Sequence, residues 1–505
     1  MNARLRRLAA GRAGDSWLPA LFGLGATLGF APWGWIGLTL IAPAALLWLW
    51  RDVGPARAAW RGFVFGLAHF TLGIYWIYIS IHHYGGGPAW LAVLLVIALA
   101  SYLALYPALI GYALRRWLWQ DSAPAVAALL ALPVLWLFAE LFRDVFGTGF
   151  PWLSLGYAFL DTPLARLAPV TGVYGMSAGA VLLSGALWLL VAGGGRERIL
   201  AVAAAAPMLL ALPLLPAPGS WTQDSGAPIA VSLVQGNIPQ ELKWRPGRRE
   251  ATLAHYRRLT EREWGRRLII WPEVAIPALR HHVQPYLDTL NARAQLSGST
   301  LLAGVLVRDA PDAPLYNAVV WLGVERGAYY KRHLVPFGEY FPAPKWLLDI
   351  GSVLGLQYSD FSSGPDEQPP LMLDGHTLGI SICFEDVFGR DIRRDLPQAE
   401  LLVNVTNDAW FEDSSAPHQH LQFARMRALE MGRSLLRVAN TGISAVIGPD
   451  GRIRQASPQF AVDVLRAEVA PRAGLTPYAR LGNAPLWLLS LAGLGGLLLW
   501  RRRRA

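Results

Sequence analysis

Three short runs of this sequence end in residues that together could supply a base, a cation and a nucleophile. Trp271-Pro272-Glu273 closes an apolar run with a carboxylate. Tyr330-Lys331-Arg332-His333-Leu334-Val335-Pro336-Phe337-Gly338-Glu339 carries a lysine and, eight residues on, a second carboxylate. Ser381-Ile382-Cys383-Phe384-Glu385-Asp386 ends another run with the only cysteine, followed by two acids. A thiol of ordinary pKa about 8.5 is mostly protonated at neutral pH and needs help to attack. A carboxylate can take its proton, and an ammonium can stabilise both the thiolate and the oxyanion that attack creates. Each piece alone has a plainer reading: free cysteine packs as a small hydrophobe, glutamate after a strand is a solvated turn residue, and lysine beside Arg and His is surface. The joint order Glu, Lys, Cys, each at the end of a strand-like run, is what points to a site.

The runs that position these residues alternate between two periods. Ile229–Val234, Leu268–Trp271, Leu301–Val307, Ala318–Gly323, Leu378–Cys383 and Leu401–Val405 have the length and aliphatic content of buried strands. Arg249–Trp264, Pro285–Leu296 and His418–Gly432 carry helical patterns between them. Further strands are expected at Leu436–Ile447 and Val462–Val469, joined by the turn Pro449-Asp450-Gly451. Strands alternating with helices mean an α/β domain over residues 217–482. Neither a phosphate-binding loop nor a dinucleotide fingerprint occurs in it.

The rest of the chain is a different material. Over all 505 residues, 53% are hydrophobic and only 16% charged, with 22 tryptophans and a mean hydropathy of +0.32. That balance excludes an ordinary soluble enzyme, a disordered chain and a fibrous repeat. One cysteine excludes a disulfide framework and a Cys-rich metal site. Eight apolar runs approach the ~20 residues a spanning helix needs: Trp17–Pro32, Trp35–Trp50, Phe63–Ile81, Trp90–Leu114, Ala123–Phe142, Leu167–Val191, Ile199–Leu215 and Ala484–Trp500. The first two form a hairpin around Pro32–Gly34. The net charge of +10 marks topology rather than a nucleic-acid partner. Arg4, Arg6, Arg7 and Arg12 precede the first run, Arg51, Arg57 and Arg61 follow the second, Arg115 and Arg116 the fourth, Arg196 and Arg198 the sixth, and Arg501–Arg504 the last. The loop Ile81–Pro88 has no Lys or Arg. By the positive-inside rule both termini are cytoplasmic and the α/β domain is on the outer face. A second apolar run follows the first at once, so the basic N-terminus reads as a retained anchor rather than a cleaved signal. The expected organisation is a transmembrane domain of seven helices over residues 1–216, the catalytic domain over 217–482, and a closing helix with a basic tail over 483–505.

The order and wording of the three motifs resemble the nitrilase superfamily, whose Glu-Lys-Cys triad sits on an α-β-β-α sandwich; Glu273, Lys331 and Cys383 match its motifs one by one. With the membrane runs, the chain further resembles the membrane-bound apolipoprotein N-acyltransferases of that superfamily. Thr148-Gly149-Phe150-Pro151-Trp152, Gln235-Gly236-Asn237-Ile238, His333 to Tyr340, Asn407-Asp408-Ala409-Trp410-Phe411 and Arg425-Met426-Arg427-Ala428-Leu429-Glu430 carry this narrower likeness. Phe384 and Glu412 depart from it, standing where Tyr and Gly are expected. The resemblance implies a ping-pong acyl transfer in the bacterial inner membrane. A phospholipid, with phosphatidylethanolamine the suggested donor, acylates Cys383, and the amine of a diacylglyceryl apolipoprotein takes the chain, with the catalytic domain in the periplasm. No cofactor or metal is implied. Both substrates are lipids, so a site at the bilayer avoids exposing acyl chains at about 0.8 kcal/mol per CH₂.

Other residues have two readings. Glu339 either holds Lys331 protonated or is an ordinary ion-pair partner, and Glu385 either belongs to the hydrogen-bond shell or is another such partner. Asn407 and Arg427 are further site candidates. Pro342–Leu356, rich in Trp, Leu and Ile, is a lid dipping toward lipid or a core helix. His82 and His83 cap the third run as interface anchors rather than metal ligands, and Glu140 with Arg143 forms an acid–base pair near a span end. Two rival functions use the same residues differently: a tethered amidase would release ammonia from small amides, and a transporter with a dead α/β domain would place charges inside its spans.

Overall fold

The computed structural model describes residues 14–119, 124–341 and 360–503. Arg4, Arg6, Arg7 and Arg12, Ala123, the expected lid Pro342–Leu356 and Arg504 lie outside them. The chain divides into two compact units. One takes in the chain up to Tyr78, Ala89–Ala217 and the chain from Leu481 on; the other is Ile79–Pro88 with Pro218–Arg480.

The first unit is helical because its runs are apolar on all sides, and only a helix satisfies every backbone donor and acceptor within one segment. Five helices among the described residues are long and apolar enough to cross a membrane: Ala89–Leu118, Pro124–Val145, Pro163–Ala192, Gly195–Leu214 and Ala484–Arg502. A sixth counts if the broken pair Pro55–Gly73 and Ile77–Tyr84 is one span. Gly14–Thr27 and Ile36–Trp50, at 14 and 15 residues, are shorter. Gly62 and Gly66, four apart on one helical face, let the helix Pro55–Gly73 lie against Ala89–Ala113; a Cβ on Gly62 would meet the Pro107 carbonyl oxygen at 2.4 Å. Arg57 and Arg61 both hold Asp15, so these two arginines fasten the helix Gly14–Thr27.

Glu140 and Arg143 do not pair with each other as expected. Glu140 accepts from Trp136 Nε1 and the Leu155 amide, both at 2.9 Å, while Arg143 donates to the Trp152 carbonyl at 2.7 Å and Ser154 Oγ at 2.9 Å. The loop after their helix carries backbone groups that no regular element satisfies, and the two charged side chains satisfy them instead.

The second unit is an α-β-β-α sandwich, and the period-2 alternation of its strands explains the layers. One sheet contains β1 (Ile229–Gln235), β2 (Leu268–Ile270), β3 (Ile276–Leu279), β4 (Thr300–Val307), β5 (Tyr316–Leu322), β6 (Gly327–Tyr330) and the later strand Asp463–Val469. Its order is (Asp463–Val469)-β1-β2-β4-β5-β6, with β3 also pairing β4. The other contains β7 (Leu371–Leu373), β8 (His376–Ile382), β9 (Ala399–Thr406), β10 (Leu435–Ala439), β11 (Ala445–Ile447) and β12 (Ile453–Ala456), in the order β12-β11-β10-β9-β8-β7. Val231, Leu233, Leu268, Ile270 and Leu302 from the first sheet pack against Ile380, Ile382, Val403, Val405 and Val438 from the second in one buried core. The intervening residues point the other way. Val234, Ile269, Leu301 and Ala303 meet α1 (Arg249–Thr260) and α2 (Gln284–Ser297) through Leu253, Tyr256, Leu287 and Leu290. Leu402, Leu435, Ala445 and Ile447 meet α3 (Ala416–Met431) through Ala424 and Ala428.

Two expectations fail here. Leu436–Ile447 is not one strand: residues 440–444 break it into β10 and β11, which run antiparallel. Ser444 in that break is tied to Gln235 and Ser457, so side-chain hydrogen bonds turn an apolar run back on itself. The turn Pro449-Asp450-Gly451 therefore joins β11 to β12, and Asp463–Val469 crosses to pair with β1 in the other sheet.

Candidate active site

Each of the three sequence motifs leaves the sheet at a point where the local residues forbid it to continue. After β2, the Trp271 amide still bonds the Leu302 carbonyl at 2.8 Å, but Pro272 has no N–H to donate. The chain turns with Val274 in the left-handed region (φ 47°) and lays Glu273 over β4. Gly304 of β4 makes that approach possible, since a Cβ there would stand 2.4 Å from both the Pro272 oxygen and the Val274 nitrogen. Trp271, fully buried, anchors the turn by packing its ring at a tilt against Tyr256 and donating Nε1 to Thr260 Oγ1 at 2.9 Å.

Lys331 directly follows β6, its amide bonding the carbonyl of Asn317 on β5 at 2.9 Å. Its side chain is 1% exposed, and its Nζ lies 2.8 Å from Glu339 and 3.6 Å from Glu273. Asn317 Nδ2 donates to both carboxylates, at 2.7 Å to Glu273 and 3.2 Å to Glu339. Burial alone would pull the lysine down, but Glu339, Glu273 and Cys383 outweigh it and hold the ammonium above its ordinary range.

Cys383 is the first residue past β8. It adopts φ 52° and opens the 3₁₀ turn Cys383–Val387, a left-handed conformation that costs a non-glycine residue about 1–2 kcal/mol. Its carbonyl is held by Asn404 Nδ2 at 3.2 Å and by the His420 ring at 3.3 Å. Burial and the Glu273 charge push the thiol well above its ordinary value, Lys331 and the Thr406 hydroxyl pull it back, and Asp408 adds to the rise. The thiol is therefore held neutral at pH 7.

Glu385 ties two of these strand ends together. It accepts the amides of Ile382, Arg332 and His333 at 2.6, 2.7 and 3.1 Å, and the Tyr329 hydroxyl at 3.0 Å. Burial raises it to about 7 against those donors. Glu339 likewise accepts the Val335 amide at 2.8 Å, pinning the loop that carries it. Both residues thus join the hydrogen-bond shell, and Glu339 also pairs with Lys331.

Beneath Cys383 lies a buried charge network that sequence reasoning missed. His420 bonds Asp386 and Asp408 at 2.9 Å each. Arg437 reaches Asp386 at 3.2 Å, Asp408 at 2.9 Å and Asn404 Oδ1 at 2.9 Å. The four charged side chains are at most 2% exposed. Burial works against a charged ring and so does Arg437, yet Asp386 and Asp408 lift His420 to about 9; with the ring protonated, two cations balance two carboxylates. The members come from four elements, so no spacing in the chain announces them. Asn317, Thr406 and Lys243 were missed for the same reason.

The remaining candidates sit elsewhere. Asn407 directs its amide to Gln240 at 2.9 Å and accepts from Asn440 at 3.1 Å, bracing the site wall. Arg427 is buried against Glu430 at 3.0 Å on α3. Phe384 packs against His333 and Phe388. Glu412 adopts φ 46°, a conformation suited to the expected glycine, and its carboxylate takes His83 Nδ1 at 2.9 Å and the Tyr84 hydroxyl at 3.1 Å. His83 is thus engaged by protein rather than serving only as an interface anchor, and His82 bonds the Gly87 carbonyl at 2.8 Å.

Comparison with known proteins gives matches over both units. Residues 22–186 match the family described as apolipoprotein N-acyltransferase N-terminal domain, and residues 230–478 match carbon-nitrogen hydrolase. The apolipoprotein N-acyltransferase of Methylococcus capsulatus is 41% identical over 482 residues, covering 94% of each chain. That of Photobacterium profundum is 39% identical over 491 residues, covering 95% of this chain and 94% of its own. Among solved structures, a carbon-nitrogen hydrolase from Helicobacter pylori G27 aligns with 48% of this chain and 89% of its own, at 17% identity and a TM-score of 0.37.

Proposed function

Because the chain belongs to the apolipoprotein N-acyltransferase family, we propose that it moves a fatty acyl chain from a phospholipid to the N-terminal amine of a diacylglyceryl apolipoprotein, through a thioester on Cys383. The observation that carries this reading is the buried Lys331 ammonium lodged between Glu339 and Glu273 and acting on a neutral, partly buried thiol. In the first half-reaction Sγ bonds the ester carbonyl carbon as Glu273 takes the thiol proton. Lys331 stabilises the oxyanion, and collapse expels the lysophospholipid oxygen, which receives the proton from Glu273. In the second, the acceptor amine attacks the thioester, Glu273 takes an amine proton, and the departing thiolate is reprotonated from it. Glu339 keeps Lys331 charged throughout, and phosphatidylethanolamine is the donor in this reading.

The arginine pattern supports placing both termini in the cytoplasm and residues 217–482 on the periplasmic side of a bacterial membrane. A thioester also needs protection from water, which a site built of buried groups gives it. The test is to supply the purified full chain with acyl-labelled phosphatidylethanolamine and a diacylglyceryl-cysteine peptide. Equimolar N-acyl peptide and lysophospholipid are expected. Ammonia from small amides with no acylated peptide would overturn the reading in favour of an amidase.

A further inference from the structure

Lys243 is a buried cation that the acyl transfer does not use. It ends the helical turn Gln240–Lys243, whose other end meets Asn407, next to the Thr406 that touches the thiol. Its residue is 3% exposed, and its ammonium donates one hydrogen bond, to the backbone carbonyl of Glu273 at 3.3 Å. The one carboxylate acting on it among the described residues is Glu273, which is already engaged by Asn317 and Lys331. Burying an ammonium with so few partners is unfavourable, and burial accordingly pushes Lys243 down to about 8.

The same lysine lines a cavity of about 330 Å³ together with Arg245, Arg249, Glu250 and Pro277. Glu250 pairs with Arg249 at 3.0 Å. Three cations against one carboxylate leave the lining positive, with its buried member one backbone carbonyl away from Glu273. A positive lining repels the amine of an incoming acceptor and attracts an anion held near the ester to be cleaved.

We propose that this cavity binds a phosphodiester, the phosphate of the acyl donor's headgroup, with Lys243 at its floor and Arg245 and Arg249 at its rim. The inference rests on the phospholipid-donor reading and adds to it how the donor is told from other esters. In a glycerophospholipid only the glycerol carbons and their ester oxygens separate the phosphate from the acyl carbonyl, so a phosphate beside Glu273 brings the ester to the triad. Lysine and arginine on an anionic oxygen make the stronger, charge-assisted kind of hydrogen bond.

The experiment compares phosphatidylethanolamine with diacylglycerol of the same acyl chains as donors to the full-length protein in detergent, reading label on Cys383 without acceptor. Wild type should favour the phosphodiester in kcat/KM, and Lys243→Met should reduce that ratio by about tenfold or more, the loss expected for a charge-assisted hydrogen bond. Lys243→Arg should retain most of the preference. Arg245→Ala with Arg249→Ala, at exposed positions where folding is not at stake, should lower it part-way. Inorganic phosphate that competes with the phospholipid in wild type but not in Lys243→Met marks a general phosphate site. A collapsed ratio without such competition marks one that reads phosphate only within the lipid. An adduct formed with the same donor ratio in wild type, Lys243→Met and the double variant overturns this inference alone. No adduct from either donor in wild type overturns the donor reading, and this inference falls with it.

Discussion

Replacing His420 with glutamine should flatten the alkaline side of the α/β unit's stability profile. In the folded chain the ring sits between Asp386 and Asp408 at 2.9 Å each and binds its proton up to about pH 9, against an ordinary value of 6.5. A group raised on folding stabilises fully below its unfolded value, and the contribution is lost as pH rises through the folded one. At about 1.4 kcal/mol for each tenfold change in proton affinity, the difference between 6.5 and about 9 is worth about 3 kcal/mol. For a domain of this size that corresponds to roughly 6–12 °C in apparent Tm. Lys243 acts in the opposite sense: pushed down to about 8, it makes the folded state gain stability as pH rises from there toward its ordinary value. The informative quantity is therefore the difference between wild type and His420→Gln, measured by thermal denaturation in detergent from pH 6 to pH 10. That difference should be largest at pH 6 and narrow by about 3 kcal/mol toward pH 10. Parallel profiles would refute the protonated, two-carboxylate bridge.

Three further perturbations probe the site directly. Gly304→Ala introduces a Cβ 2.4 Å from the Pro272 oxygen; if Glu273 is the proposed base, displacing it should lower acyl transfer at least about tenfold with Glu273, Lys331 and Cys383 all unchanged, since small misplacements of a reacting group are costly, and a rate assay beside a melting curve checks it. Thr406→Val removes a hydroxyl that holds the thiol down, so the thiol should rise further and the limb of the pH–rate profile governed by Cys383 should move to higher pH. Glu385→Gln sets amide hydrogens against the three backbone donors of Ile382, Arg332 and His333, which should destabilise the unit by about 1–3 kcal/mol, read by denaturation at pH 8.

The strand ends were legible because chemistry and strand pattern coincide there: Pro272 stops a ladder beside Glu273, and Cys383 closes the strand-like run Leu378–Cys383. The α/β class was legible from strands alternating with helices, while the two-sheet layering came from the likeness to the nitrilase superfamily, because β2 and β4 are apolar on both faces. What was hidden depends on contacts between distant parts of the chain. Ser444 bends an apolar run because Gln235, more than 200 residues earlier, waits for it, so local pattern read one strand where there are two. The His420, Asp386, Asp408 and Arg437 network and the Asn317 bridge are assembled by sheet register, which no motif records. Glu140 and Arg143 look like a pair at helical spacing, yet each is drawn to loop backbone groups that only the folded chain brings near. Glu412 was seen as a departure, and its partners, His83 and Tyr84, lie more than 300 residues away.

The most direct test of the central claim is to incubate the purified chain with acyl-labelled phospholipid and no acceptor, then locate the label. The mechanism predicts a stoichiometric adduct on Cys383 that neutral hydroxylamine removes and that Cys383→Ala never acquires. Folded protein that stays unlabelled in the presence of lipid, or label that survives hydroxylamine at another residue, would contradict it.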